Sequence, residues 1–365
     1  MKLTIVGAGI HGLSTAVQAA LRGWQVDVYD QGPVPNPQAS SVDDHRLIRH
    51  AYGARDGYAN LVVHAFASWD RLWSLLGTAH YAETGTLAVG HAGSGWIQGS
   101  IDSLQRMGIE VARCSVTECR TFFPTLRLND DDDSLYSPQG GVLFAARIVS
   151  ALASYAASLG VRIHEHARME PSLLPTADWT FWCTGAWTPA PLIRPSRQLL
   201  GYFRQAPSWA VSASGSRQLP MLIDLDERGG LYIVQGVDGT RWKFGIHRYS
   251  LRGNPDDDRT ATPAERKELE DAYRARMDDP EEPDLADARA CYYAVNDASR
   301  LTLGKSGSQL RFSGGSGHSF KFGALTGEVI VAVMAGNIDV ESADALLGGE
   351  LSADTSEAVL RVLPH

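Results

Sequence analysis

Residues 3–30, LTIVGAGIHGLSTAVQAALRGWQVDVYD, leave the chain little choice of local fold. An apolar run, Leu3 to Val6, leads into Gly7, Gly9 and Gly12, then into an Ala-rich segment of helical spacing that stops at Gly23. A second short strand, Trp24 to Tyr29, ends on Asp30. Each glycine answers a mechanical need: Gly7 a tight turn, Gly9 the approach of a pyrophosphate to the backbone, Gly12 close packing of helix on strand. The helix beginning near Ile10 presents unpaired N–H groups and a positive dipole end to the phosphates. Asp30 falls near the position, about 20 residues on, where an acidic side chain takes a ribose hydroxyl pair. An adenine dinucleotide without a 2′-phosphate is therefore expected. Lys2 and the apolar run after it would also suit a secretory leader, but a leader has no need of three glycines in register. The stretch leaves FAD and NAD equally open.

At 365 residues the chain has room for one large core or two domains. Its balance of 33 Lys and Arg against 42 Asp and Glu, a formal charge of −9, argues against nucleic acid or an anionic membrane as partner. The apolar stretch Val329 to Ala335 is far shorter than the roughly 20 residues that span a bilayer. Cys114, Cys119, Cys183 and Cys291, with no leader, read as reduced thiols of a cytoplasmic protein. No His or Cys set has metal-ligand spacing, and no metal is expected.

Further along, residues 58–76 and 145–159 have the apolar spacing of amphipathic helices ending at Gly77 and Gly160, and residues 97–108 look helical. Glu83 to Gly90 reads as one strand, and NDDDD at 129–133 as a solvated loop. WTFWCTGAW, 179–187, is a buried strand breaking at Gly185, a form that brings a strand end close to a cofactor. From Arg197 the strands RQLLGYFR, GGLYIVQG and RWKFGIHRY alternate with turns, the texture of an antiparallel sheet. The charged stretch 254–283 reads as a loop, a surface helix and another loop. A glycine-rich segment then opens a helix near Phe322.

Taken in order, these elements resemble the D-amino-acid oxidase superfamily of FAD enzymes. Within it they are similar to the sarcosine oxidase-like branch of monomeric sarcosine, N-methyltryptophan and pipecolate oxidases. GAGIHG resembles the FAD fingerprint, RLIRHAYG the arginine motif and ETGTL the strand leaving the FAD domain. SPQGGVL, CTGAW, RQLLGYF, KFGIH, ACYY and GGSGHSFKFG follow in the family's order, to about Gly336. The resemblance implies an α/β fold: a Rossmann-type FAD-binding domain (1–85, 141–195 and 288–345) with an inserted antiparallel-sheet substrate domain (86–140 and 196–287), then a C-terminal tail, 346–365.

The same resemblance implies roles for single residues. Gly7, Gly9, Gly12, Asp30, Gly185 and Trp187 would hold FAD, with Arg46 beside the flavin ring. Arg49 would pair bidentately with a substrate carboxylate and Lys321 would be its second ligand. Gly314, Gly315, Gly317 and His318 would form, with Lys321, the loop whose N–H groups stabilise the reduced flavin. Lys243 matches a lysine of oxygen activation, because a fixed ammonium stabilises the superoxide formed when O2 accepts its first electron. His247 and Tyr232 would line the same cavity. Cys291 matches the cysteine that carries the flavin through a thioether, and Tyr293 the aromatic position after it.

The chain departs from the pattern in places. Ser319 stands where SGHGFKF has its middle glycine, Gly315 replaces a bulkier residue, and Val42 replaces the histidine of sarcosine-specific enzymes. AVNDASRLTLG lacks the usual aromatic and acidic residues. The substrate side chain stays open. The implied activity is oxidation of the C–N bond of an N-methyl or cyclic secondary amino acid by hydride transfer to flavin, with hydrolysis of the imine and reduction of O2 to H2O2. Two alternatives stand beside it: a flavin dehydrogenase of an amino or 2-hydroxy acid that passes electrons to a carrier, and a non-catalytic flavin-binding subunit. The expected partners are a small amine or amino acid and O2, with no nucleic acid and no membrane, and the expected state is a monomer.

Overall fold

A computed structural model describes residues 1–189, 193–210, 218–224, 230–279 and 283–363. Gly229 of the GGLYIVQG strand, residues 280–282 of the charged stretch and residues 364–365 of the expected tail lie outside the described residues.

The apolar Leu3, Ile5 and Val6 form the strand Lys2–Val6, which pairs in parallel with Gln25–Tyr29 on one side and Trp179–Trp182 on the other. Gln309–Ser313 and Arg162–His164 extend this sheet in parallel, and Thr302–Ser306 closes one edge antiparallel. The strand order reverses at Lys2–Val6, which is where an open α/β sheet forms its ligand crevice. Helix Ile10–Leu21 packs on helix Gly323–Met334, and every residue of the latter is buried. The two backbones come close because Gly327 has no side chain: a Cβ there would lie 2.7 Å from the Ser14 carbonyl. Glu328, on the same buried helix, accepts bidentate hydrogen bonds from Arg71 at 2.9 and 2.7 Å and a third from the Ser68 hydroxyl.

A second sheet runs in the order Leu285–Val295, Arg194–Phe203, Lys243–Ile246, Leu231–Val234, Met221–Asp224, Thr86–His91, Asp132–Ser137, Ala112–Arg113. All its ladders are antiparallel except that between Met221–Asp224 and Thr86–His91, where two distant parts of the chain meet. Arg46–Arg49, Gly140–Leu143 and Tyr81–Glu83 make a small third sheet.

The strand expected over Glu83 to Gly90 is thus two strands in two sheets. Gly85, at φ +78°, turns the chain between them. The expected solvated loop at 129–133 is also corrected in part. Asp132 and Asp133 begin a strand, and the Asp132 carboxylate is buried against Arg276 at 2.5 Å. Arg276 also meets Asp224 at 2.8 Å, so the surface helix Pro263–Arg276 ends on a buried ion cluster, while its start carries a Thr262–Glu265 capping box. Residues 346–363 hold the end of helix Val340–Leu347 and all of helix Ala353–Leu360, with Leu346, Leu347, Leu360 and Leu363 in the main core. No described helix is long and apolar enough to cross a membrane.

Candidate active site

The crevice lies beyond the ends of strands Lys2–Val6 and Trp179–Trp182, with a volume of about 350 Å³. Gly7, at φ +111°, has no room for a side chain: its Cβ would lie 2.6 Å from the Cys183 carbonyl oxygen. A Cβ on Gly12 would meet the Gly7 carbonyl oxygen at 1.9 Å, so Gly12 supports the turn from behind. Helix Ile10–Leu21 has no acidic residue in its first turn, and its N-terminal end meets the crevice with the Ile10 N–H donating to Ser41 Oγ at 3.1 Å. Asp30 lines the same crevice. It accepts hydrogen bonds from the backbone N–H of Ala8 and Gly32 and from the Asn36 amide, all at 2.9 Å.

Gly7, Gly9, Asp30, Arg46, Gly185, Trp187, Gly314, Gly315 and Gly317 all line this crevice. Trp187 is held there by its Nε1–H bond to Asp256 at 2.6 Å. Gly317, at φ +82°, lies against the Tyr293 ring, where a Cβ would come within 2.4 Å. His11 also lines the crevice and was not foreseen. Both its ring nitrogens lack a partner among the described residues, and burial holds it neutral by lowering its pKa to about 3.

Two cationic groups flank the crevice. The first joins Arg49 to Lys321. Lys321 is buried in the turn Phe320–Phe322, whose backbone is tied down by Trp69 Nε1–H to the Lys321 carbonyl at 2.7 Å. Its ammonium donates to Tyr52 Oη at 2.9 Å and to the His318 carbonyl at 3.2 Å. The Arg49 guanidinium stacks over Tyr52 at 4.7 Å and Trp96 at 5.6 Å, and its buried Nη1 has no hydrogen-bond partner among the described residues. Burial, and then the Arg49 charge, hold the Lys321 pKa well below that of an ordinary lysine. Neither cation has a carboxylate partner among the described residues. The His318 ring packs edge-on against Tyr52 and Tyr58. His247 is open on its outer side and close enough to feel both charges.

The second group surrounds Asp43, which the sequence reading passed over. Its carboxylate receives the Lys243 ammonium at 2.9 Å, the Arg46 guanidinium and the Tyr202 hydroxyl. Lys243 also donates to the His45 carbonyl at 2.9 Å. Arg46 reaches back to the Ser40 carbonyl at 2.6 Å. Cys291 and Tyr293, on alternate positions of one strand, lie within the field of Arg46. Burial raises the Cys291 thiol pKa, and the Arg46 charge opposes that shift. Tyr232 stands in this group, near Cys291 and Asp43, whereas His247 falls in the other. The four cysteines are all free.

The sequence profile of the DAO family of FAD dependent oxidoreductases matches residues 2–333. The chain belongs to that family. It is similar to monomeric sarcosine oxidase of Bacillus sp. (strain B-0618), 24% identical over 354 residues, which cover 89% of this chain and 90% of that one. It is also similar to N-methyl-L-tryptophan oxidase of Salmonella heidelberg (strain SL476), 24% identical over 348 residues, covering 90% and 92%. The fold is shared with NikD, an unusual amino acid oxidase essential for nikkomycin biosynthesis, at TM-score 0.77 and 19% identity, covering 91% and 93%. The protein is thus an FAD-dependent oxidoreductase of the amino-acid oxidase kind.

The crevice fits the family's cofactor. Glycines stand where a Cβ would obstruct the phosphate turn, a helix dipole meets the same place, and His11 leaves two polar atoms unsatisfied. Gly7, Gly9, Asp30, Arg46, Tyr293, Gly314, Gly315 and Gly317 would hold that cofactor.

Proposed function

We propose that this FAD enzyme oxidises the C–N bond of a secondary amino acid, N-methyl or cyclic, and uses O2 as acceptor. One observation carries the reading: Arg49 and Lys321 are two neighbouring cations, dehydrated and without a carboxylate partner among the described residues. Charges buried in this way call for an anion, and a planar guanidinium beside an ammonium suits a carboxylate.

Bound FAD supplies the two-electron acceptor. Arg49 and Lys321 hold the substrate carboxylate, and Tyr52 and Trp96 fix the guanidinium plane. The amine binds without its proton, so the site needs no strong base. The CH–NH unit loses two electrons and two protons and becomes C=N, which water hydrolyses. O2 takes both electrons and both protons and leaves as H2O2. Lys243 offers the fixed positive charge that helps O2 accept its first electron. Cys291 carries the flavin covalently; burial raises its thiol pKa, and Arg46 beside it opposes that shift. Segments 1–85, 141–195 and 288–345 serve the cofactor, and 86–140 and 196–287 shape the substrate side. We read the enzyme as a cytoplasmic monomer.

The test is anaerobic mixing of the purified yellow protein with sarcosine, N-methyl amino acids, proline, pipecolate and 2-hydroxy acids. Bleaching by a secondary amino acid, with stoichiometric H2O2 on admitting air, is the expected result. Bleaching by hydroxy acids alone, or no H2O2 in air, overturns it.

A further inference from the structure

Lys243 lies in the middle of the large sheet, between Tyr202 on one neighbouring strand and Val234 on the other, and its side chain is 2% exposed. A lysine so placed is normally driven towards its neutral form, because taking an ammonium out of water costs several kcal/mol. Arg46 makes matters worse, since it is a second buried cation and its charge opposes that of Lys243. The compensation is one carboxylate, that of Asp43, equally buried and shared between them.

Among the described residues facing this cluster, no second carboxylate bonds Lys243 or Arg46. From the segment before the third sheet come His45, which gives only its carbonyl oxygen to Lys243 and whose ring is kept neutral by burial, and Asp44. Asp44 is already engaged by Arg241 at 2.9 Å. From the large sheet come Tyr202, Tyr232, Cys291 and Tyr293, all pushed towards their protonated, neutral forms by burial. The Tyr202 hydroxyl donates to Asp43, and this hydrogen bond helps keep the carboxylate ionised.

The geometry points to Asp43 as the residue that keeps Lys243 an ammonium and fixes where its charge sits; Asp43 is thus a positioning residue for the O2 step, a role that rests on the reading of Lys243 given above. Two of the three ammonium hydrogens are committed to Asp43 and the His45 carbonyl, which leaves one direction for the remaining N–H. Without Asp43, Lys243 and Arg46 would share a dehydrated site with no counter-charge. Arginine does not give up its proton in proteins, so Lys243 would.

The experiment compares the holoenzyme with Asp43→Asn, Asp43→Glu and Lys243→Met. Its first readout is the protonation of Lys243 itself, followed by NMR of 13Cε-labelled lysine against pH. The lysines are Lys2, Lys243, Lys267, Lys305 and Lys321, so Lys243→Met assigns the signal. The wild-type signal should stay that of an ammonium at neutral pH. In Asp43→Asn its midpoint should fall by about two pH units or more, and Asp43→Glu should restore most of that fall. The second readout is oxidation of photoreduced flavin by O2, which needs no amine. In Asp43→Asn it should slow about tenfold per pH unit above the new midpoint.

An unmoved Lys243 midpoint in Asp43→Asn overturns the inference. So does a wild-type Lys243 that is already neutral at pH 7, an outcome for which neither Asp43 variant need fold. If Lys243→Met oxidises as fast as wild type, the reading of Lys243 as the oxygen-step residue fails, while the NMR arm still decides the role of Asp43.

Discussion

Ser319 fills the space that a side chain on Gly315 would need: a Cβ on Gly315 would stand 2.6 Å from Ser319 Oγ and 2.7 Å from its Cβ. The two departures from the family's loop pattern are therefore one exchange of volume across the turn. Gly315→Ala alone should overpack the loop and cost about 1–3 kcal/mol. In a Ser319→Gly background the cost should drop below about 1 kcal/mol. Thermal unfolding of the four holoproteins checks this, and additive losses would show the pair to be independent.

Arg49→Met should weaken a carboxylate ligand by about 2–3 kcal/mol, roughly 30- to 150-fold, the scale of hydrogen bonds to a charged group. The perturbation of the flavin spectrum by a non-reacting carboxylic acid measures that affinity. An uncharged analogue of the same acid should bind wild type and variant alike. Equal losses for both would mean that Arg49 serves packing alone.

The pH dependence of ligand binding follows from Lys321. Burial, then Arg49, depress its folded pKa, so the charge is present below that depressed value and is lost as pH rises through it. A bound carboxylate reverses the effect and raises the pKa. Carboxylate affinity should therefore weaken as pH rises through the depressed pKa, and binding there should take up a proton. Calorimetry in buffers of different ionisation enthalpy counts that proton. Lys321→Met should abolish the uptake.

Cys291→Ala should release the flavin into the supernatant on acid precipitation, whereas the wild type should keep it with the pellet. A wild type that releases all its flavin rules out the covalent link.

Arg276→Met should cost about 3–5 kcal/mol in urea unfolding, because it removes the guanidinium buried against the Asp132 carboxylate. A loss under 1 kcal/mol would mean that water reaches that carboxylate.

That last cluster also shows where reading the sequence stops. The glycine turn was legible because its pattern is local: Gly7, Gly9 and Gly12 stand in register between a strand and a helix, although the contact that bars a side chain at Gly7 comes from Cys183 far along the chain, and Arg46 and Arg49 were singled out through the motif they resemble. The charge network was not. Asp43 meets Lys243 across 200 positions and Asp132 meets Arg276 across 144. In sequence, Asp132 is one of a run of solvated-looking acids and Asp43 one of a pair just after a loop, with nothing local to mark either as buried. Tyr52 sat within the arginine motif and was still overlooked, since its role appears only when Lys321 arrives 269 positions later.

The packing of helix Ile10–Leu21 against helix Gly323–Met334 also bears on how the molecule is made. Arg22 donates to the Val331 carbonyl, 309 positions on. On the ribosome the dinucleotide-binding turn emerges first, and its main helical partner emerges near the end of synthesis. At about 5–20 residues per second the apolar face around Ile10 and Leu13 waits tens of seconds before it can be covered. Slow translation of the middle of the chain, or a missing chaperone, should therefore harm yield more than any single loss at the catalytic centre.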